Sequence, residues 1–249
     1  EDGIRDIGVT GVQTCALPIS LGATSTNDIT FGGTINNGTG AVRIASGSSG
    51  GTGAAIGASF AAAGMGSDTC GSIRIPSANQ NLVGLRGTHG LSSRTGVMPL
   101  SSTQDIAGPL ARTVTDLAIM LDATVGADAA DPVTRDSAGH IPKSYRDALT
   151  PDGLKGARIG MLKALWGNAP EDDEVAAIIR KALDGFKAQG ADVVDITVPG
   201  LDDLLRDSSV IADEFKFDLM AYLAKQPNAP VKSLGDILDR GLFQIGRAH

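Results

Sequence analysis

Ser48 and Ser72 constrain this chain more than any other feature. They lie 24 positions apart, each in a glycine-rich loop. The first loop reads Ser46-Gly47-Ser48-Ser49-Gly50-Gly51-Thr52-Gly53. The second reads Gly66-Ser67-Asp68-Thr69-Cys70-Gly71-Ser72-Ile73-Arg74-Ile75-Pro76. Glycines flanking a serine let the backbone come close to a bound group and aim amide N–H groups at it, which is the raw material of an oxyanion hole. Two such loops can set one hydroxyl beside another and form a proton relay.

Bulk properties exclude several classes. A chain of 249 residues can bury one large core or two small ones. Hydrophobic content of 42% with 20% charged residues is that of a soluble globular protein. The net charge of −7 argues against electrostatic nucleic-acid binding. No apolar run is long enough for a membrane span. The two cysteines, Cys15 and Cys70, provide no disulfide framework, and His89, His140 and His249 are scattered without a metal-ligand pattern. We therefore expect a cytoplasmic protein with no metal and no cofactor.

Both termini read as translated sequencing adapter. Thr14-Cys15-Ala16-Leu17-Pro18-Ile19 can be encoded by DNA containing GTGTGCTCTTCCGAT, and its reverse complement encodes Ile-Gly-Arg-Ala-His, which is Ile245–His249. We set residues 1–20 and 245–249 aside as artefact and expect them to take no part in the fold. Residues 21–244 then form a partial domain, open at both ends, that leaves apolar surface exposed.

Asn27–Ala45 reads as turns and a short strand, Thr52–Ala63 as a helix leaving the first serine loop, and Asn81–Leu85 as a strand or turn. An irregular surface follows from Gly87 to Ser101. Thr113–Val125 is a helix: Thr113 and Asp116 have capping-box-like spacing, Leu117, Met120, Leu121 and Val125 share a face, and Gly126 ends it. After a long polar connection to Pro151 comes a βαβ pattern, with strands at Ala157–Leu162 and Ala191–Val198. Between them runs a helix over Glu171–Gln189, with Val175, Ile178, Ile179, Ala182, Leu183 and Phe186 inward. Leu201–Ala224 reads as helix throughout. The alternation implies an α/β fold.

Further motifs accompany the serine loops in order: Phe31-Gly32-Gly33-Thr34, Leu82-Val83-Gly84-Leu85-Arg86 and Gly108-Pro109-Leu110-Ala111-Arg112-Thr113-Val114. Together these resemble the amidase signature family of serine hydrolases over about Asn27–Leu223. The resemblance implies a mixed β-sheet flanked by helices and hydrolysis of the C–N bond of a small-molecule or peptide amide. It makes Ser72 the nucleophile and Ser48, after a cis peptide bond, the relay to a neutral lysine. The two hydroxyls should then lie within hydrogen-bonding reach. The backbone N–H groups of Thr69, Cys70, Gly71 and Ser72 would form the oxyanion hole. Asp68 and Arg74 would pair behind the nucleophile and shape its loop, with Ser49 in support. Two positions depart from the family pattern, Ser46 and Cys70, where small glycine-type residues are usual. Cys70, with no histidine near it in sequence, reads as a small buried side chain.

The lysine sets a limit. The family's base lies well upstream of the first serine, whereas the first lysine here is Lys143. Every earlier cation is arginine, which stays protonated and cannot act as a base. The base is expected outside this chain, and the chain alone is expected to be nearly inactive.

Other readings compete. Gly47-Ser48-Ser49-Gly50-Gly51 fits G-x-S-x-G, the nucleophile elbow of α/β-hydrolase esterases, with Ser49 as nucleophile. That needs a strand before it and a late histidine. A phosphate-binding loop fits less well, because no lysine follows the glycines. A non-catalytic remnant is a third class. Within the family, Ser102-Thr103-Gln104-Asp105 and Glu214-Phe215-Lys216-Phe217-Asp218-Leu219 look more like general or peptide amidases. The glutaminase-type subunit of a tRNA-dependent amidotransferase is the alternative.

Overall fold

A computed structural model describes residues 47–242, apart from Asn168 and Asp207. The readings made for the termini, Asn27–Ala45 and Ser46 lie outside the described residues. The fold is α/β, and the described residues divide into two compact units, 47–146 with 209–242, and 147–208.

In the first unit, helix α1 (Gly50–Gly57) leads into strand β1 (Ala63–Asp68), short helix α2 (Arg74–Asn79) and strand β2 (Val83–Gly84). Strand β3 (Ile106–Ala111) and helix α3 (Val114–Thr124) follow. The sheet is antiparallel in the order β1-β3-β2, running from Ala63↔Ala111 to Asp68↔Ile106. Four of eight residues in α1 are glycine, each costing about 1 kcal/mol of helix propensity relative to alanine. Packing offsets this. Ile56 is wholly buried with Ile73 and Leu110, and the Thr52 hydroxyl donates to the Met65 carbonyl at 3.1 Å.

The expected helix Thr52–Ala63 is thus shorter, and its C-terminal end is strand. The chain turns where Arg112 Nη1 donates to the carbonyls of Ile56 and Ala61, at 3.1 and 3.0 Å. From Ala63 onward, pairing with β3 takes the backbone's hydrogen bonds. Strand β3 is buried along its whole length although it contains Gly108 and Pro109. Pro109 has no N–H to give, yet its carbonyl accepts from Leu85 N at 3.1 Å.

Helix α3 matches its sequence pattern. Thr113 caps it by accepting from Asp116 N at 3.0 Å, and Leu117 and Leu121 pack with Ala111 in a second apolar cluster. The connection beyond is pinned by the Arg94 guanidinium, held fork-on-fork by Asp131 at 3.0 Å on both oxygens. Later in this unit, helix α6 (Ile211–Ala224) buries Leu219 and Leu223, and α7 (Leu234–Asp239) is capped by Ser233.

In the second unit, β4 (Arg158–Met161) pairs in parallel with β5 (Asp192–Asp195) across helix α4 (Pro170–Ala188), followed by α5 (Leu201–Arg206). This is the expected βαβ element. Proline opens α4, Asp172 accepts from Ala169 N at 2.8 Å, and Gly190, at φ +89°, follows its end. Two expectations need correction. The face expected inward on α4 is mostly exposed at Val175, Ile178, Ile179 and Ala182, while Ala176 is buried. A two-stranded sheet is too narrow to cover a nineteen-residue helix. The single helix expected over Leu201–Ala224 is two, because Ser208–Val210 are not helical and the chain passes from one unit to the other. Among the described residues no helix is long and apolar enough to cross a membrane.

Candidate active site

The two serine loops meet. Ser49 N donates to the Ser72 carbonyl at 3.2 Å, and Gly50 N closes a turn on Gly47 O at 3.0 Å. Gly47 has φ +81°, and a Cβ there would lie 3.2 Å from Ser72 Cα and 3.0 Å from Pro76 Cδ. Only glycine fits so close a crossing of backbones. Ser48 is exposed and Ser72 half-buried.

The contact differs in two respects from what the resemblance implies. Among the described residues every peptide bond is trans, Gly47–Ser48 included, which is the isomer favoured by about 3 kcal/mol before a non-proline residue. The Ser48 and Ser72 hydroxyls make no hydrogen bond to each other, so the loops are joined through main chain instead.

The second serine loop is folded around Asp68. This carboxylate is fully buried and accepts from Gly71 N at 2.7 Å, Ile73 N at 3.1 Å and Arg74 N at 3.3 Å. Arg74 adds two side-chain contacts, Nε to Oδ2 at 3.1 Å and Nη2 to Oδ1 at 3.2 Å, and Arg86 Nε lies 3.3 Å from Oδ1. Burial by itself would raise the Asp68 pKa. The hydrogen bonds from Arg74 and from the Ile73, Gly71 and Arg74 amides outweigh it and hold the carboxyl below its ordinary value. The Asp68–Arg74 pair expected behind the nucleophile is therefore present. The sequence did not signal Arg86 as its third member.

This arrangement sorts three of the four expected oxyanion amides. The Gly71 amide is engaged by Asp68. The amides of Cys70 and Ser72 have no hydrogen-bond partner among the described residues. The Thr69 side chain points inward, its hydroxyl donating to Asp105 Oδ1 at 2.5 Å. Cys70 is a free thiol on the exposed side, not the small buried side chain expected. Its neighbours Thr69 and Asp68 take the inward positions, and Cys70 is left facing solvent.

Ser49 is unsuited to be a nucleophile. It is 1% exposed, and its hydroxyl donates to Ser67 O and accepts from Ser67 N, both at 3.1 Å. It ties the first loop to β1, with neither its proton nor its lone pair directed at a substrate. His89 Nε2, the first of two histidines left for the elbow reading, lies against Arg94 Nη1 and the Ser102 carbonyl.

The comparisons with known proteins agree with this architecture. The family model described as Amidase matches residues 4–244. A probable amidase of Arabidopsis thaliana is 34% identical over 200 residues, covering 78% of this chain and 37% of that protein. A glutamyl-tRNA(Gln) amidotransferase subunit of Thermosynechococcus vestitus is 44% identical over 158 residues, covering 63% and 32%. Among solved structures, native peptide amidase from Stenotrophomonas maltophilia superposes with a TM-score of 0.71 at 36% identity, over 80% of this chain and 41% of that one. The chain thus spans about two fifths or less of these relatives. Because the match runs through both serine loops and across nearly all of the sequence, this chain belongs to the amidase family.

Proposed function

We propose that the protein hydrolyses the C–N bond of a carboxylic amide, with Ser72 as nucleophile and Ser48 as the relay. The Ser49 N–Ser72 O hydrogen bond carries the reading, because it docks the two loops at the serines themselves. Ser72 would attack the amide carbonyl and form an acyl-enzyme. The developing oxyanion would be met by the unengaged amides of Cys70 and Ser72, the Gly71 amide being given to Asp68. Ser48 would pass the Ser72 proton to a neutral lysine, the base that the family resemblance implies; the cations before Lys143 are all arginine, which cannot accept it. Catalysis would then need Ser48 to move into reach of Ser72, from loops that already share a hydrogen bond. A cytoplasmic location belongs to the same reading and is supported by the low cysteine count.

The substrate class is a peptide or small-molecule amide. Peptide amidase is 36% identical at a TM-score of 0.71, against 27% and 0.60 for the glutamyl-tRNA(Gln) amidotransferase chain of Thermotoga maritima. The 44% identity to the Thermosynechococcus amidotransferase protein supports a second reading, glutamine hydrolysis within an amidotransferase. The test is a full-length natural protein carrying this segment, given a peptide amide and, separately, glutamine, with labelling by a serine-directed fluorophosphonate. Peptide amide turnover with label on Ser72 supports the first reading. Glutamine turnover alone supports the second, and label elsewhere, or none, overturns both.

A further inference from the structure

Asp105 sits where the nucleophile loop leaves the sheet. It immediately precedes β3, Thr69 immediately follows β1, and the last pair of the ladder is Asp68↔Ile106. Thr69 and Asp105 are both about 95% buried, each 5% exposed. Beyond the Thr69 hydroxyl at 2.5 Å, the Asp105 carboxylate accepts from Leu100 N at 2.8 Å and Ser101 N at 3.0 Å, both through Oδ2. Its own position is fixed in turn. Arg86 Nη2 donates to the Gln104 carbonyl at 3.0 Å and to the Thr69 carbonyl at 3.5 Å, and Ser101 and Thr103 are held by Glu214 of α6.

The oxyanion loop is therefore gripped from two sides. Asp68 holds the amides of Gly71, Ile73 and Arg74, and Asp105 holds the Thr69 side chain. The unengaged Cys70 amide lies in the chain between Thr69, held by Asp105, and Gly71, held by Asp68, and the unengaged Ser72 amide lies between two amides that Asp68 holds. A hydrogen bond that fixes the Thr69 side chain and, through it, the start of this segment restrains the direction in which the Cys70 amide points. Preorganised donors help catalysis only if they are held in place before charge develops. We infer that Asp105, acting through the Thr69 hydroxyl, is a positioning residue for the oxyanion loop. The inference rests on the reading of Ser72 as nucleophile.

The test uses the full-length protein with a peptide amide substrate. Thr69→Val removes the hydroxyl at nearly constant volume, Thr69→Ser retains it, and Ser72→Ala serves as reference. Loss of an aimed oxyanion donor lowers kcat by about 100- to 1000-fold, so a donor merely released should lower it by about 10- to 100-fold. KM should stay within about twofold, and Thr69→Ser should recover kcat to within about threefold, the signature of an interaction made in the transition state. Thr69→Val should melt below Thr69→Ser because Asp105 loses a buried hydrogen bond, so kcat is compared at a temperature where both are folded. Thr69→Ala is read the same way should Thr69→Val not accumulate folded. A Thr69→Val enzyme with normal kcat beside an inactive Ser72→Ala overturns this inference alone. So does a Thr69→Ser enzyme as slow as Thr69→Val, or a loss carried by KM. Normal turnover by Ser72→Ala overturns the nucleophile reading, and this inference with it.

Discussion

The second serine loop and the βαβ element place charges in opposite settings. Asp68 is wholly buried and is met by three backbone amides and two arginines. In the βαβ element, Lys163 pairs with Asp195 at 2.7 Å with both side chains more than half exposed, and Arg158–Asp192 is more exposed still at 3.9 Å. A desolvated carboxylate must be satisfied, so it dictates the path of the chain around it. A solvated pair dictates almost nothing, because water serves either partner as well. The comparison separates charges that build a site from charges that keep a surface soluble.

Four experiments press on that contrast. The largest effect is expected at the proposed nucleophile: Ser72→Ala in the full-length protein should lower turnover by on the order of 10⁴-fold or more, the scale of a lost serine nucleophile. Turnover within about tenfold of wild type would leave the loop a purely structural feature.

Next comes Asp68. Replacement by alanine leaves the buried Gly71 and Ile73 amides without their acceptor and Arg86 without its carboxylate. Such a break should destabilise the chain by about 3 kcal/mol, read by urea denaturation. The pH dependence follows from the lowered pKa. The folded-state value lies below the ordinary 3.8, so the Asp68 contribution is complete above that pH. It is lost as pH falls through the folded-state value. The wild type should therefore lose stability in acid more steeply than Asp68→Asn, and parallel acid limbs would refute the assignment.

A smaller effect is expected at Ser49. Ser49→Ala removes the bridge to both main-chain groups of Ser67 and should lower stability by about 1–2 kcal/mol. Fluorophosphonate labelling of the full-length protein should persist in this variant. Abolished labelling at unchanged stability would revive Ser49 as a nucleophile.

The smallest effect belongs to the exposed pair. A double-mutant cycle across Lys163 and Asp195 should give a coupling of about 0.5 kcal/mol or less, shrinking further in salt. A coupling as large as that of Asp68 with Arg86 would erase the distinction between the two regions.

Much of this could be read in the sequence wherever the cause is local. The glycines around Ser48 and Ser72, the Thr113 cap three residues before Asp116, and the apolar spacing from Val175 to Phe186 act within one loop or one helix. Their elements appear accordingly. The α4 pattern shows where such reading stops. Periodicity gives a helix with one apolar face, but whether Val175 and Ile178 are covered depends on how much sheet stands opposite.

By itself the sequence determined the α/β class, the two serine loops, the capped helix α3 and the βαβ element, because backbone permissiveness, capping and periodicity operate over a few residues. Only the tertiary structure decided that a Gly-Pro segment is the buried central strand, that Ser49 is structural, and that Cys70 faces solvent. It also decided that Gly71 gives its amide to Asp68, that Asp105 holds the Thr69 hydroxyl, and that Glu214 holds Ser101 and Thr103. These outcomes depend on burial and on partners far away in sequence: Thr69 and Asp105 are 36 residues apart, and Ser102 and Asp218 are 116 apart. A buried polar group takes whichever partner the fold brings to it, and no local pattern encodes that choice.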